Sequence, residues 1–397
     1  MNKNNNERLE LIDNPNLVPG IAKKLAESEW ISFDTEFIRE STFFSKLEIL
    51  QIADESQTWL FDVPKLGASG LKPIFELFQN PKILKIVHAA QGDQEALFTS
   101  FGIVATPILD TALAGSLCGY GESVGLANLL RSELGVEIKK GHARTHWGTR
   151  PLAPQLLEYA ASDVTDLVRL ARGLKEKLDK KGRFNWALEL SRKFENVSLY
   201  KPQPDELALK VAKGTRIDQK SFQALVELLR WRETRVRALD RPRKWVADDG
   251  IIYDLSIAQP KTMDHLSAFR GIAKPEVSQS GKQILEAIQK GLAGDPKDYP
   301  ERERVKPPTE SESRVLELTK VFLGHLSDKN GISVNHMVTQ PSLLQILRNP
   351  NQSLEEWVKE EWITAGAVEI MGNELKSFLS GQVGIFVDGL SIQFEKR

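Results

Sequence analysis

Trp30-Ile31-Ser32-Phe33-Asp34-Thr35-Glu36-Phe37-Ile38 places two carboxylates inside an otherwise apolar run. Read as a strand, the run points side chains two apart to one face, so Asp34 and Glu36 project together. Two neighbouring acids in a sheet repel each other and resist desolvation. Each raises the other's pKa unless a cation neutralises them. Hard carboxylate oxygens are the donors that Mg2+ or Mn2+ favours. Taken alone, the pair reads better as a solvated strand end carrying ordinary surface acids.

Working outward, apolar runs at 47–53, 58–63 and 83–87, with a short one near 104–109, read as further strands beside 30–37. The polar tetrapeptide Asp54-Glu55-Ser56-Gln57 joins the second and third of these as a hairpin turn. Residues 71–78 and 91–101 read as helices. A hairpin followed by strand–helix alternation predicts a mixed sheet with helices packed on it. From Asp110 to about Tyr200 the pattern turns helical, with one long helix from Pro154 towards Lys181. Lys201-Pro202-Gln203-Pro204 then marks a linker, and residues 205–294 read as a helical bundle. A Gly- and Pro-rich charged stretch at 295–309 reads as a second linker, and 310–397 as a further set of short helices. The expected division is therefore 1–200, 205–294 and 310–397.

A chain of 397 residues exceeds one ordinary core. Its 41% hydrophobic and 27% charged content is that of a folded globular protein and argues against disorder. No apolar run nears the roughly 20 residues that span a bilayer, so no membrane partner is expected. Met1 to Glu10 is polar and lacks a secretory core. Cys118 is the single cysteine, which excludes an internal disulfide and a cysteine-based zinc cage. These features fit a reducing cytoplasm. A net charge of −1 leaves polyanion binding to local charge distribution. Residues 205–294 carry 16 Lys/Arg against 12 Asp/Glu, whereas 310–397 carry 8 against 12, so only the first helical segment has a basic excess.

Two further elements resemble the acid pair in kind. His88-Ala89-Ala90-Gln91-Gly92-Asp93 follows a buried strand and sets Asp93 in the first turn of a helix, where it also fits a helix-dipole partner. Tyr159-Ala160-Ala161-Ser162-Asp163 stacks a phenol and a carboxylate at i and i+4 on one helix face, with small residues between. A core tyrosine beside an ordinary helix acid would read the same way.

In that order and spacing, the three elements are similar to the motifs of the ribonuclease D family, DEDD-type 3′→5′ exonucleases of the tyrosine subclass. Phe33 to Arg39 resembles the first motif, Val87 through Asp93 the second and Glu158 to Val164 the third, with Trp147 and Arg150-Pro151-Leu152 upstream of the last. The resemblance implies α/β plus all-α architecture: a ribonuclease-H-like mixed sheet with flanking helices, followed by two small helical, HRDC-like domains. It implies that Asp34, Glu36, Asp93 and Asp163 hold two divalent metal ions, Mg2+ or Mn2+, with Tyr159 orienting the attacking water. The implied substrate is RNA with a free 3′ end, precursor tRNAs among them, and the implied product is nucleoside 5′-monophosphate. No protein partner is implied. The same acids serve DNA exonucleases, and a catalytically silent RNA-binding scaffold on this fold would lack one of them.

Basic residues mark two candidate RNA surfaces. Lys139, Lys140, Arg144 and Arg150 flank Trp147 between the second and third motifs. Leu228-Leu229-Arg230-Trp231-Arg232-Glu233 and the following Arg235, Arg243 and Lys244 resemble the basic helix of an HRDC domain. There Leu225, Leu228 and Leu229 are expected to face inward, and Arg232 and Arg235 outward. In the last segment Glu355, Glu356, Glu360 and Glu361 stand where that family tends towards basic residues, which points to packing against the other domains.

Overall fold

The computed structural model describes residues 9–39, 41–138, 145–301 and 306–396. Six strands form one mixed sheet in the order β1-β4-β3-β2-β5-β6. They are β1 (Leu9–Ile12), β2 (Trp30–Ile38), β3 (Lys46–Ala53), β4 (Thr58–Asp62), β5 (Leu84–Val87) and β6 (Ile108–Asp110). The meander β2-β3-β4 is antiparallel, whereas β1, β5 and β6 join in parallel. β2 and β3 read as near-continuous apolar runs because both of their faces are covered. The four-residue strand β1 lay outside the sequence reading, too short to carry a period of its own.

Helices α1 (Val18–Leu25), α2 (Val63–Phe78) and α3 (Gln91–Phe101) cover one face, around Ile31, Phe33, Phe61 and Phe78. Against the other face lie α4 (Thr111–Cys118), α5 (Leu126–Leu134), α6 (Pro154–Thr165), α7 (Leu167–Lys180) and α8 (Phe184–Arg192). The single helix expected from Pro154 is two, parted at Asp166 (φ −103°, ψ 5°). Thr165 Oγ1 donates to the Ala161 carbonyl at 2.7 Å, a back-bond of the kind that bends a helix.

Beyond residue 200, α9 (Pro204–Ala212), α10 (Gln219–Leu239), α11 (Arg243–Val246), α12 (Asp249–Ala258), α13 (Met263–Ala268) and α14 (Lys274–Ala293) enclose a core of their own. Asp218 caps α10 through the Ser221 amide at 3.0 Å. A Cβ at Gly291 would lie 2.5 Å from Ala224 Cα, so only glycine lets α14 approach α10 this closely.

The last segment contains the expected short helices, Gln340–Arg348 and Leu354–Lys359 among them, and departs from the expectation at its two ends. It opens on the 21-residue α15 (Glu310–Asn330), held by a capping box between Thr309 and Glu312, and ends in a hairpin, β7 (Val383–Asp388) and β8 (Ser391–Lys396). Alternating Ile385, Val387, Ile392 and Phe394 around Asp388-Gly389 are a strand pattern, and Phe394 packs edge-on against Phe322 at 5.1 Å. No helix among the described residues is long and apolar enough to cross a membrane.

This segment shares a core with the sheet domain, in which Leu117, Trp186 and Ala187 join Leu323, Ala367 and Leu375. Trp186 Nε1 donates to Thr364 Oγ1 at 3.0 Å. The Glu189 carboxylate accepts from the Ala365 and Gly366 amides at 2.9 and 3.1 Å. A Cβ on Gly366 would fall 2.1 Å from Trp186 Cγ. Gly366→Ala should therefore destabilise the chain by about 1–3 kcal/mol through overpacking at this seam. Thermal unfolding checks this, and a melting temperature equal to the parent's would refute the close fit.

Candidate active site

β2 carries the centre of the site. Its pairing with β5 runs only from Trp30 to Ser32, so the edge beyond is free for another partner. Asp93, in the first turn of α3, takes that place: its Oδ1 accepts from the Thr35 amide at 2.9 Å and from Thr35 Oγ1 at 2.6 Å. The turn presenting Asp93 is in turn held by buried Asp110. Its carboxylate accepts from the Ala89 and Ala90 amides, both at 3.0 Å, and from the Ala112 amide at 2.8 Å. Ala89 has φ 59°, a left-handed conformation that those bonds help to hold. Thr35 and Asp110 were not singled out from the sequence. An Asp closing a strand ahead of a helical run is an N-cap signal that could have marked the second.

α6 brings the remaining groups. Ser32 Oγ donates to the Val164 carbonyl at 2.9 Å, and Thr58 and Thr165 hydroxyls meet at 2.9 Å, fixing the end of α6 on the sheet. Buried Ala160 and Ala161 let the helix settle against Ile49 and Leu60. Asp163 thereby joins the strand acids, and one carboxylate oxygen each of Asp34, Glu36 and Asp163 lies within 4.8 Å of the others. Tyr159, one turn back, hydrogen-bonds Asp163 and packs beside Trp147, ring centroids 6.3 Å apart. Asp93 is not one of the three but adds its charge beside Asp34. The structure thus brings together all five residues read from the three motifs. His88, given no chemistry, pairs its Nδ1 with Thr111 Oγ1 at 2.9 Å.

The electrostatics follow from this crowding. Burial, then the charges of Asp163 and Asp93, push Glu36 up to about 8. Burial lifts Asp93 to about 7 against the two Thr35 hydrogen bonds, and Asp163 to about 6 against that of Tyr159. Asp34 is driven well above the carboxylate range by burial first and then by Asp93, Asp163 and Glu36. The Tyr159 phenol moves up for the same reasons and stays protonated at neutral pH. A cluster of hard oxygen donors this costly to ionise alone suits a divalent cation, which removes both the desolvation and the repulsion.

The RNA-contact residues fare differently. Lys139, Lys140 and Arg144 lie outside the described residues. Arg150 is occupied within the domain: its Nε and Nη2 bond Asp62 at 2.8 and 3.1 Å, and its Nη1 bonds the Trp147 carbonyl at 2.6 Å. Arg232, expected to face outward, is fully buried. It bonds Glu233 at 3.1 Å and Asp249 at 2.6 Å, counter-ions that make burial of a guanidinium tolerable. Arg243 makes two 2.7 Å bonds to the same Glu233. Arg235 bonds Glu276 and Gln279, each at 2.8 Å. Among the described residues of this group only Lys244 is exposed, beside exposed Arg241 and Trp245.

Residues 9–179 match the family model described as 3′-5′ exonuclease, and residues 221–288 match the HRDC domain. The chain is 30% identical over 372 residues to ribonuclease D of Bartonella henselae, covering 91% of this chain and 88% of that one. It is 32% identical over 339 residues to ribonuclease D of Nitrobacter hamburgensis, covering 85% and 88%. The solved structure of Escherichia coli RNase D, described as an exoribonuclease involved in structured RNA processing, has the same fold. It matches with TM-score 0.80 over 94% of this chain and 98% of that one, at 22% identity. Sheet, acid cluster and family model together define a 3′–5′ exonuclease. The chain belongs to the ribonuclease D family of 3′–5′ exoribonucleases.

The Arg232 finding is testable on stability alone. Arg232→Ala should cost about 3 kcal/mol, because Glu233 loses a buried partner; an exposed arginine would cost under about 0.5 kcal/mol. Urea unfolding distinguishes the two.

Proposed function

We propose that this chain is a metal-dependent exonuclease that trims 3′ extensions from RNA, precursor tRNAs among them, in the cytoplasm. The observation that carries the reading is the convergence of Asp34, Glu36 and Asp163 within 4.8 Å, with Asp93 alongside. These four acids would hold two divalent cations, Mg2+ or Mn2+. Bound there, the cations would supply Lewis acidity to the attacking water and charge stabilisation to the leaving 3′ oxygen.

The chain's own residues do the rest. Thr35 fixes Asp93 through its amide and hydroxyl, so that carboxylate keeps one orientation. Tyr159, protonated and hydrogen-bonded to Asp163, orients the water and does not act as a base. Attack of the water oxygen on phosphorus breaks the P–O3′ bond, and the departing O3′ takes a proton. The terminal residue leaves as a nucleoside 5′-monophosphate. Exposed Lys244, Arg241 and Trp245 offer phosphate contacts and a stacking face for the RNA body.

Asp34→Asn should cut hydrolysis by about 1000-fold or more, the scale of several kcal/mol of transition-state charge stabilisation. It should not lower the melting temperature in EDTA, since it replaces a carboxyl group that burial and its acidic neighbours already disfavour ionising. Activity within a few-fold of the parent in Mg2+ would sink the assignment. Tyr159→Phe should reduce turnover about 10- to 100-fold with RNA affinity unchanged. Digestion of a 3′-extended tRNA precursor, with Mg2+ or EDTA and beside a DNA strand of equal sequence, tests the substrate. Equal rates on both strands would favour a general DNA and RNA exonuclease.

A further inference from the structure

Gln51 stands directly opposite Asp34 in the antiparallel register of β2 and β3, and opposite Leu60 on β4. Paired residues on neighbouring strands share a face with Cβ atoms about 4.5–5.5 Å apart. The Gln51 side chain therefore lies on the acid-bearing face, beneath α6. It is fully buried, and neither its Oε1 nor its Nε2 has a hydrogen-bond partner among the described residues. Ile49, Leu60, Ala160 and Ala161 supply an apolar setting on the same face, where a leucine would pack without penalty. A carboxamide buried without partners forfeits its solvation, so its presence calls for a partner acquired in another state.

The polar residue paired with it across the strands is Asp34. A carboxylate that binds a cation through one oxygen keeps lone pairs on the other, and ligating carboxylates are held in orientation by donors behind them. We propose that Gln51 is a positioning residue, its Nε2 donating to the outer oxygen of Asp34 once a divalent cation occupies the acid cluster. The inference rests on the metal reading of that cluster. Gln51 touches neither substrate nor cation; it acts through Asp34, with its carboxamide as the donor.

The test is Mn2+ titration of the full chain without RNA, followed by electron paramagnetic resonance, alongside melting temperatures in EDTA. Gln51→Leu should weaken Mn2+ binding about 10-fold or more, with the EDTA melting temperature unchanged or higher. Gln51→Asn, which keeps the amide but shortens its reach, should weaken binding likewise and guards against a packing artefact. Parental Mn2+ affinity in both variants, with Asp34→Asn defective, would overturn the role of Gln51 while leaving the metal site standing. Weakened binding accompanied by a lower EDTA melting temperature in both variants would also overturn it, as a purely structural effect. Absence of Mn2+ binding by the parent chain would instead bring down the metal reading itself.

Discussion

Mutual repulsion of carboxylates crowded on one strand is the constraint around which this fold is arranged. Asp34 and Glu36 share a face of β2, Asp163 is pressed onto them from α6, and Asp93 enters from the edge that β5 leaves open. Left to themselves these groups would splay into water. Asp93 and the helix that carries Asp163 are kept in place by hydrogen bonds from outside the cluster. Thr35 grips Asp93, and Ser32 with the Thr58–Thr165 pair seats the end of α6. Asp110 ties down the turn from which Asp93 projects. Buried side-chain-to-backbone bonds of this kind are short-range and directional, so they fix position where Coulomb forces would disperse it. A bulge beside Glu36, where the register slips between Glu36 and Phe37, adds local twist at the same point.

The two helical segments attach to this centre by different physics. The last one shares an apolar core with α4, α7 and α8, sealed where Gly366 abuts Trp186, and acts as part of the scaffold. The HRDC segment keeps its own core. It meets the sheet domain at the loop following β2, where Asp240 accepts from the Phe43 and Phe44 amides, both at 3.0 Å. Arg237 and Arg243 stand over the Phe43 ring at 5.6 and 5.1 Å. A contact of a few polar and cation–π bonds orients a neighbour without merging with it. Because the loop continues the strand that carries Asp34 and Glu36, the HRDC segment is referenced to the active site through eight or so residues of chain.

Legibility in the sequence tracked the range of the interactions involved. Asp34 and Glu36 were readable because a period of two is local, as were Asp93 after a strand and Tyr159 with Asp163 at i and i+4. The hairpin at 383–396 was equally local in its alternation around Asp388-Gly389, but its strands are mostly exposed and too weakly apolar to outweigh the helical run before them. What periodicity could not supply was the partner of a charge. Arg232 is buried because Asp249, seventeen positions on, and Glu233 meet it, and Arg150 is spent on Asp62 from the other end of the domain. Thr35 carried no local signal, since its partner Asp93 stands across the strand gap, 58 positions on.

The basic excess of the HRDC segment illustrates why a charge count is a poor guide to a binding surface. Much of it closes internally: Arg230 on Asp205 and Glu227, Arg232 and Arg243 on Glu233, Arg235 on Glu276. A guanidinium already bonded to a carboxylate must lose that bond to take a phosphate, so it adds little net attraction. The α10 arginines therefore build the helix's attachment to its neighbours, and near the end of that helix the exposed cations are Arg241 and Lys244. That end is also where the segment touches the loop leaving β2. The exposed Arg241 and Lys244 and the contact that orients the segment thus fall within a few residues of each other, so a polyanion bound there would be registered to the acid cluster by the same short stretch of chain.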